Sequence, residues 1–201
     1  MIPGEKMSVF FTADTHFGHE RIMRYCNRPF ASADEMNECL FANWEATVRQ
    51  SDTVYHLGDV AFGNRERVQK IVDRFRKLPG KKYLIPGNHD WRYPDVLFQA
   101  FEKVLPQIYE TTVAYGHGES RRLVLCHYPM LIWNGLYRGS IQLYGHVHGR
   151  IPGNTAQTDV GVDVWGFTPV RLSDLLTKMK FSPEFRNQEK EHGLEEEEDE
   201  E

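Results

Sequence analysis

Seven metal-capable side chains recur along the chain in short clusters: Asp14 and His16 in Asp-Thr-His, Asp59 after Gly58, Asn88 in Gly-Asn-His-Asp, His127 after Cys126, and His146 with His148 in Gly-His-Val-His. They offer two carboxylates, four imidazoles and one amide. A tetrahedral zinc needs four ligands, and a structural zinc prefers thiolates. Seven nitrogen and oxygen donors suit two metals that share a ligand, and a carboxylate such as Asp59 is the natural bridge. In Asp-x-His and His-x-His, the side chains at i and i+2 point the same way on extended or tightly turned backbone, so each pair can serve one site. An Asn oxygen is a neutral ligand, and the adjacent His89 can act as a general acid. Each cluster alone is a weak signal; Gly-Asn-His-Asp by itself serves equally as an ordinary turn. Their order, each after a β-prone run, carries the inference.

The elements that must position these residues are legible in the first half. Residues 8–13 read as a buried strand that runs into Asp14, and residues 34–50 as a helix with Met36, Leu40, Phe41, Trp44 and Val48 on one face and Ser32 or Asp34 near its cap. Residues 53–57 form a second strand ended by Gly58-Asp59. Residues 64–77 form an amphipathic helix with Val68, Ile71, Val72 and Phe75 inward, stopped at Pro79-Gly80. A third strand over 81–85 leads to Gly87, whose conformational freedom is expected to let the chain turn and present Asn88 and His89. Strand, helix, strand, helix, strand argues for a parallel α/β unit whose ligands gather at the carboxyl ends of the strands.

The second half changes character. A short helix is expected over 94–101, and a hairpin from strands 108–114 and 121–125 around Gly116 to Glu119. Residues 140–144 and 158–164 read as strands, and 171–180 as a closing helix.

The series Asp14-x-His16, Gly58-Asp59, Gly87-Asn88-His89-Asp90, His127 and Gly145-His146-x-His148 resembles the calcineurin-like metallophosphoesterase superfamily over about residues 8–170, with no metal-ligand position missing. The finer texture is similar to a group of small bacterial and phage phosphoesterases: Asp-Thr-His-Phe-Gly-His, then Tyr-Cys-Asn-Arg-Pro-Phe, then Gly-Val-Asp-Val-Trp. The resemblance implies a four-layer α/β/β/α sandwich of two mixed sheets with the metals at one edge. It also implies a first metal on Asp14, His16, Asp59 and His148, and a second on Asp59, Asn88, His127 and His146. His89 would face the leaving group, and Asp90 would hold its imidazole.

The implied activity is hydrolysis of a phosphoric ester by a metal-bridging hydroxide, a phosphodiesterase being favoured over a phosphomonoesterase such as a nucleotide or protein phosphatase. Two divalent ions stabilise the charge of an in-line displacement, and His89 assists the departing oxygen. The donor set suits Mn2+, Fe, Zn2+ or Ni2+ better than Ca2+; affinity order alone does not choose among these because availability intervenes, and Mn2+ is the expected ion. The expected partner is a small phosphorylated substrate or nucleotide, nucleic-acid ends included. The competing reading from another class is a metal-stabilised scaffold that binds a protein.

His19 and Arg150 are candidate substrate contacts, with Arg24 and Arg28 as further guanidinium candidates for phosphate. His56 reads as a core histidine and Cys126 as a small buried thiol. Trp133, Tyr137 and Trp165 read as packing, and neither His117 nor His192 is given a role.

Of the 201 residues, 40% are hydrophobic and 26% charged, as in soluble globular proteins. One metallophosphoesterase domain is expected over 1–186, followed by an acidic, solvated tail over 187–201. The net charge of −5 is set by that tail, which holds nine acidic residues against Lys190; the body has 23 basic and 20 acidic residues. No dense basic run suggests tight nonspecific DNA binding. No apolar run approaches the ~20 residues that span a bilayer. With no apolar leader at the start and three cysteines outside any Cys-x-x-Cys pair, a cytoplasmic home is expected.

Overall fold

The computed structural model describes residues 7–115 and 118–185. The expected tail, the boundary at 186, and the positions of His117 and His192 lie outside the described residues. Two mixed sheets form the frame. The first has the order β4-β3-β2-β1-β9, built from β1 (Val9–Thr12), β2 (Thr53–His56), β3 (Lys81–Leu84), β4 (Lys103–Val104) and β9 (Val170–Arg171). β1 to β4 run parallel, and β9 pairs antiparallel to β1. The second sheet has the order β5-β6-β7-β8, from β5 (Ile108–Ala114), β6 (Ser120–Cys126), β7 (Ile141–Tyr144) and β8 (Gln157–Asp159). β5 and β6 form the expected hairpin, with Ile108 opposite Cys126 and Ala114 opposite Ser120.

Alternation along the strands sorts side chains into layers. Phe10, Val54 and Leu84 face the helices, whereas Phe11, Ile85, Leu123, Leu125 and Leu143 fill the space between the sheets. The helical layer contains α1 (Glu20–Tyr25), α2 (Ala33–Thr47), α3 (Arg65–Phe75) and α4 (Pro94–Leu97). α2 starts where the Ser32 side chain accepts from Glu35 N at 3.1 Å, and α3 where Asn64 accepts from Arg67 N at 2.9 Å. α3 buries Val68, Ile71, Val72 and Phe75, the stripe expected from its spacing. α5 (Leu172–Met179) packs Leu172, Leu175, Leu176 and Met179 into the inter-sheet core. The fourth layer is thin: Val124 meets Trp133 and Leu136, carried by a loop with one 3-10 turn, Leu136–Arg138.

Three elements differ from the sequence expectation. The helix over 94–101 breaks into α4 and a 3-10 turn, Phe98–Ala100. The strand over 158–164 ends at Asp159, because the Asp159 carboxylate accepts from Gly161 N at 2.6 Å and turns the chain. α2 stops at Thr47 rather than residue 50, with Val48 already extended at its end. None of the helices among the described residues is long and apolar enough to cross a membrane.

Candidate metal centre

The exits of β1, β2 and β3 in the first sheet, and of β6 and β7 in the second, converge at one edge. Beyond β1 and β2 the two loops continue to pair: Asp14 N donates to Gly58 O and His16 N to Asp59 O, each at 3.0 Å. Asp14, His16, Asp59, His146 and His148 all have positive φ, between 49° and 69°. Such left-handed backbone is uncommon outside glycine and costs of order 1–3 kcal/mol per residue, which the surrounding contacts must offset.

All seven candidate ligands meet at this edge. The ligating atoms of Asp14, His16 and His148 lie within 4.8 Å of one another, as do those of Asp59, His127 and His146. Asp59 joins the two groups: its Oδ2 is 3.6 Å from His16 Nε2 and 3.5 Å from His127 Nε2. Asn88 Oδ1 lies 3.3 Å from His127 Nε2. His127 Nδ1 donates to Leu57 O at 2.6 Å, which leaves Nε2 to face the site. Two buried atoms in the first group, Asp14 Oδ1 and His16 Nε2, have no hydrogen-bond partner and lie 4.0 Å apart.

Burial and mutual charge perturb every one of these imidazoles and both carboxylates. Burial raises Asp14 to about 7 and holds His16 well below its ordinary value. For Asp59, burial is outweighed by the hydrogen bond and charge of His127 and the charge of His16, so its carboxyl sits far below the usual range. Burial is likewise outweighed at His127, raised to about 8 by Asp59, and at His148, raised to about 10 by its bond to Asp163. His146 is lowered by partial burial and by His127.

His89 is half-exposed, with Nε2 3.9 Å from Asp59 Oδ2, and its backbone N–H donates to Asp59 Oδ1 at 3.0 Å. Asp90 departs from expectation. Its Oδ2 accepts from Asp59 N and Gly87 N at 2.8 Å, and its Oδ1 from Val60 N at 2.9 Å. It clasps two loops together and does not hold the His89 ring; burial raises it to about 6 despite the three donors. Gly87 is also needed for a different reason than its torsion freedom, since it is absent from the residues with positive φ. A Cβ there would collide with Asp59 Oδ1 and lie 2.8 Å from Asp59 N.

A cleft of about 930 Å³ opens over His16, His89, His146 and His148 and extends to Arg150 and the first turns of α1. His19 lines it, its ring stacked on Phe62 at 4.1 Å between centroids, and burial lowers its pKa to about 4. Arg150 lies on the rim and donates to Tyr25 O at 2.9 Å. Arg24 is exposed and is not part of the lining. Arg28 is buried behind the site, gripping Asp163, and so cannot reach a phosphate in the cleft. His56 is buried and its Nε2 lies 3.0 Å from Thr15 Oγ1, as a core histidine should be. Cys126 is buried, and Trp133 and Trp165 pack as expected.

Sequence reasoning missed Asp163 and Asp159. Asp163 Oδ2 sits 2.7 Å from His148 Nδ1, and Asp159 Oδ2 accepts from Gly149 N at 2.8 Å, which pins the His146–His148 loop. The only sequence signal was the segment Gly161 to Trp165, whose neighbours in space come from distant parts of the chain.

Comparisons to known proteins agree with this fold. The family model for calcineurin-like phosphoesterases matches residues 7–165, and the chain belongs to that family. An uncharacterized protein of Methanocaldococcus jannaschii, MJ1445, is 31% identical over 178 residues, which is 85% of this chain and 90% of that protein. The Gene 66 protein of Mycobacterium phage L5 is 28% identical over 183 residues, 79% of this chain and 88% of that protein. The fold is similar to that of AQ665 from Aquifex aeolicus, a protein of unknown function, with a TM-score of 0.66 at 22% identity, covering 86% of this chain and all of the other.

Proposed function

We propose that the chain is a phosphodiesterase that works with two divalent metal ions. Asp14, His16, Asp59 and His148 would hold one, and Asp59, Asn88, His127 and His146 the other. The observation that carries this reading is the position of Asp59 Oδ2, at nearly equal distance from an imidazole nitrogen of each cluster. The residues also fit a cation on their own terms: Asp14 Oδ1 and His16 Nε2 are buried without partners, an arrangement that costs stability until something positive and coordinating lies between them. The nitrogen-and-oxygen donor set is compatible with Mn2+, Fe, Zn2+ and Ni2+, and since affinity order alone does not choose among them, Mn2+ is the ion proposed and tested first.

When bound, the ions supply positive charge for the phosphoryl oxygens and make water a nucleophile near neutral pH. The protein's own groups do the rest. His89, at the mouth of the cleft, donates a proton to the departing oxygen. Asp90 fixes the loops that carry Asp59 and Asn88 relative to each other. Arg150 and Arg21 on the cleft wall attract the anionic substrate. The cleft of about 930 Å³, which reaches from the metal-capable residues to α1, has room for a nucleotide-sized ester, and this supports a diester substrate over a bare monoester.

Metal content by elemental analysis, together with hydrolysis of bis-p-nitrophenyl phosphate and p-nitrophenyl phosphate in added Mn2+, tests this. Two ions per chain and a diester preference are expected. His89→Ala should lose about 10²–10⁴-fold in rate and keep both ions. A monoester preference would reassign the substrate class, and two ions without turnover on either ester would turn the reading to a binding scaffold.

A further inference from the structure

Two of the segments that stood out in the sequence, Tyr25 to Phe30 and Gly161 to Trp165, meet behind the first cluster. Arg28 Nε and one terminal nitrogen donate to the two oxygens of Asp163, each at 2.8 Å. That same nitrogen donates to Asp14 O at 2.7 Å, and the other to Thr15 O at 3.1 Å. Asp163 Oδ2 in turn takes the Nδ1 proton of His148 at 2.7 Å. Arg28 is buried, and so nearly is Asp163, with 9% of its side chain exposed.

We propose that Arg28 and Asp163 are positioning residues for the ion held by Asp14, His16 and His148, and for that ion selectively. This rests on the two-ion reading above. A planar guanidinium can bind a carboxylate with two parallel bonds and still reach two carbonyls, which a lysine cannot do. Through Asp163 it fixes the His148 ring so that Nε2, rather than Nδ1, faces Asp14 and His16. Through the Asp14 and Thr15 carbonyls it holds the left-handed turn that aims the Asp14 carboxylate. One side chain thus sets two of that ion's ligands. Among the described residues no buried guanidinium–carboxylate pair backs the other cluster: Asp90 holds its loops through backbone N–H groups only, His127 leans on the neutral Leu57 carbonyl, and His146 and Asn88 are exposed.

The test is calorimetric titration of metal-free protein with Mn2+ for wild type, Asp163→Asn and Arg28→Lys. Each variant should bind one of the two ions about 10–100-fold more weakly, with the other changed by less than about threefold. Repeating Asp163→Asn in a His146→Ala background, which keeps the Asp14/His16/His148 ion, should retain the loss. In a His16→Ala background the loss should disappear. A merely structural role would lower the melting temperature of the metal-free protein and weaken both ions alike, and that result overturns the proposal, as do unchanged affinities. Wild type binding no ion would instead overturn the two-ion reading and this inference with it. Should the variants fail to fold, nitrogen-15 NMR of Zn2+-loaded wild type decides. A His148 ring protonated at Nδ1 and metal-bound through Nε2 is expected, and the reverse tautomer refutes the brace.

Discussion

Replacing Asp90 by Asn removes a charge without removing the side chain's shape, and the structure sets the size of the effect. In the native arrangement Oδ2 serves the N–H groups of Asp59 and Gly87, and Oδ1 that of Val60. An Asn in its best orientation keeps its oxygen on the first pair and turns its NH2 toward the Val60 N–H. One charge-assisted bond is lost, at about 1.5–3 kcal/mol, and a buried donor is left unpaired at about 1–3 kcal/mol. The two remaining bonds weaken because the acceptor is now neutral. The total is about 2.5–6 kcal/mol, or a fall of about 5–24 °C in melting temperature for a domain of this size. Thermal denaturation followed by circular dichroism, with chelator and then with Mn2+, measures it. The added ion should also bind more weakly, since the acceptor shared by Asp59 N and Gly87 N is now neutral and holds the two loops less firmly. A shift under about 2 °C with unchanged metal affinity would refute the clasp as the element that joins the loops.

Other outcomes follow from the same geometry. Gly145→Ala would set a Cβ 2.6 Å from both Ala13 Cβ and Asp14 Oδ2; a destabilisation of about 1–3 kcal/mol is expected, with weakened metal binding visible by titration. Burial holds the pKa of His56 down to about 3, so the unfolded chain takes up a proton below its ordinary value of 6.5 while the folded chain does not. The sign is fixed: this contribution is complete above pH 6.5 and declines as pH falls toward 3, by about 1.4 kcal/mol per pH unit. Urea unfolding of His56→Asn in chelator should show a correspondingly flatter pH dependence over that window than wild type.

The first half of the chain was readable because its signals are local. α3 shows its inward stripe and its Asn64 cap within a dozen residues, and each strand exit ends in Gly or a ligand-type residue. The seven candidate ligand positions share this property. What could not be read depends on partners far away in sequence. Arg28 resembles any loop arginine until Asp163, across the chain, is known to lie beneath it. Asp90 sits next to His89 in sequence, which suggested that it holds the ring, whereas its carboxylate turns back to three backbone donors. The left-handed torsions of Asp14 and Asp59 leave no trace in residue type, because Asp tolerates them without requiring them. Gly87 was recognised as necessary for the wrong physical reason: crowding against Asp59, not torsion, demands it.

The donor cluster draws on both sheets: Asp14, Asp59 and Asn88 from the exits of β1, β2 and β3, and His127, His146 and His148 from those of β6 and β7. Apart from polar bonds near the edge, such as His127 Nδ1 to Leu57 O and His146 N to Asp14 Oδ2, the apolar filling between the sheets aligns those two sets, Phe11, Leu57, Ile85, Leu125 and Leu143 among it. The edge that carries the donor cluster therefore behaves like the jaws of a caliper whose pivot is hydrocarbon. A truncation such as Leu125→Ala, remote from any proton or phosphate, lets one jaw slide on the other, and misplacements near 1 Å can cost on the order of 10²-fold in rate. In such a variant, turnover fails at temperatures where the chain is still folded. Loss of activity then reports on the packing of the interior before any spectroscopic signal of unfolding does.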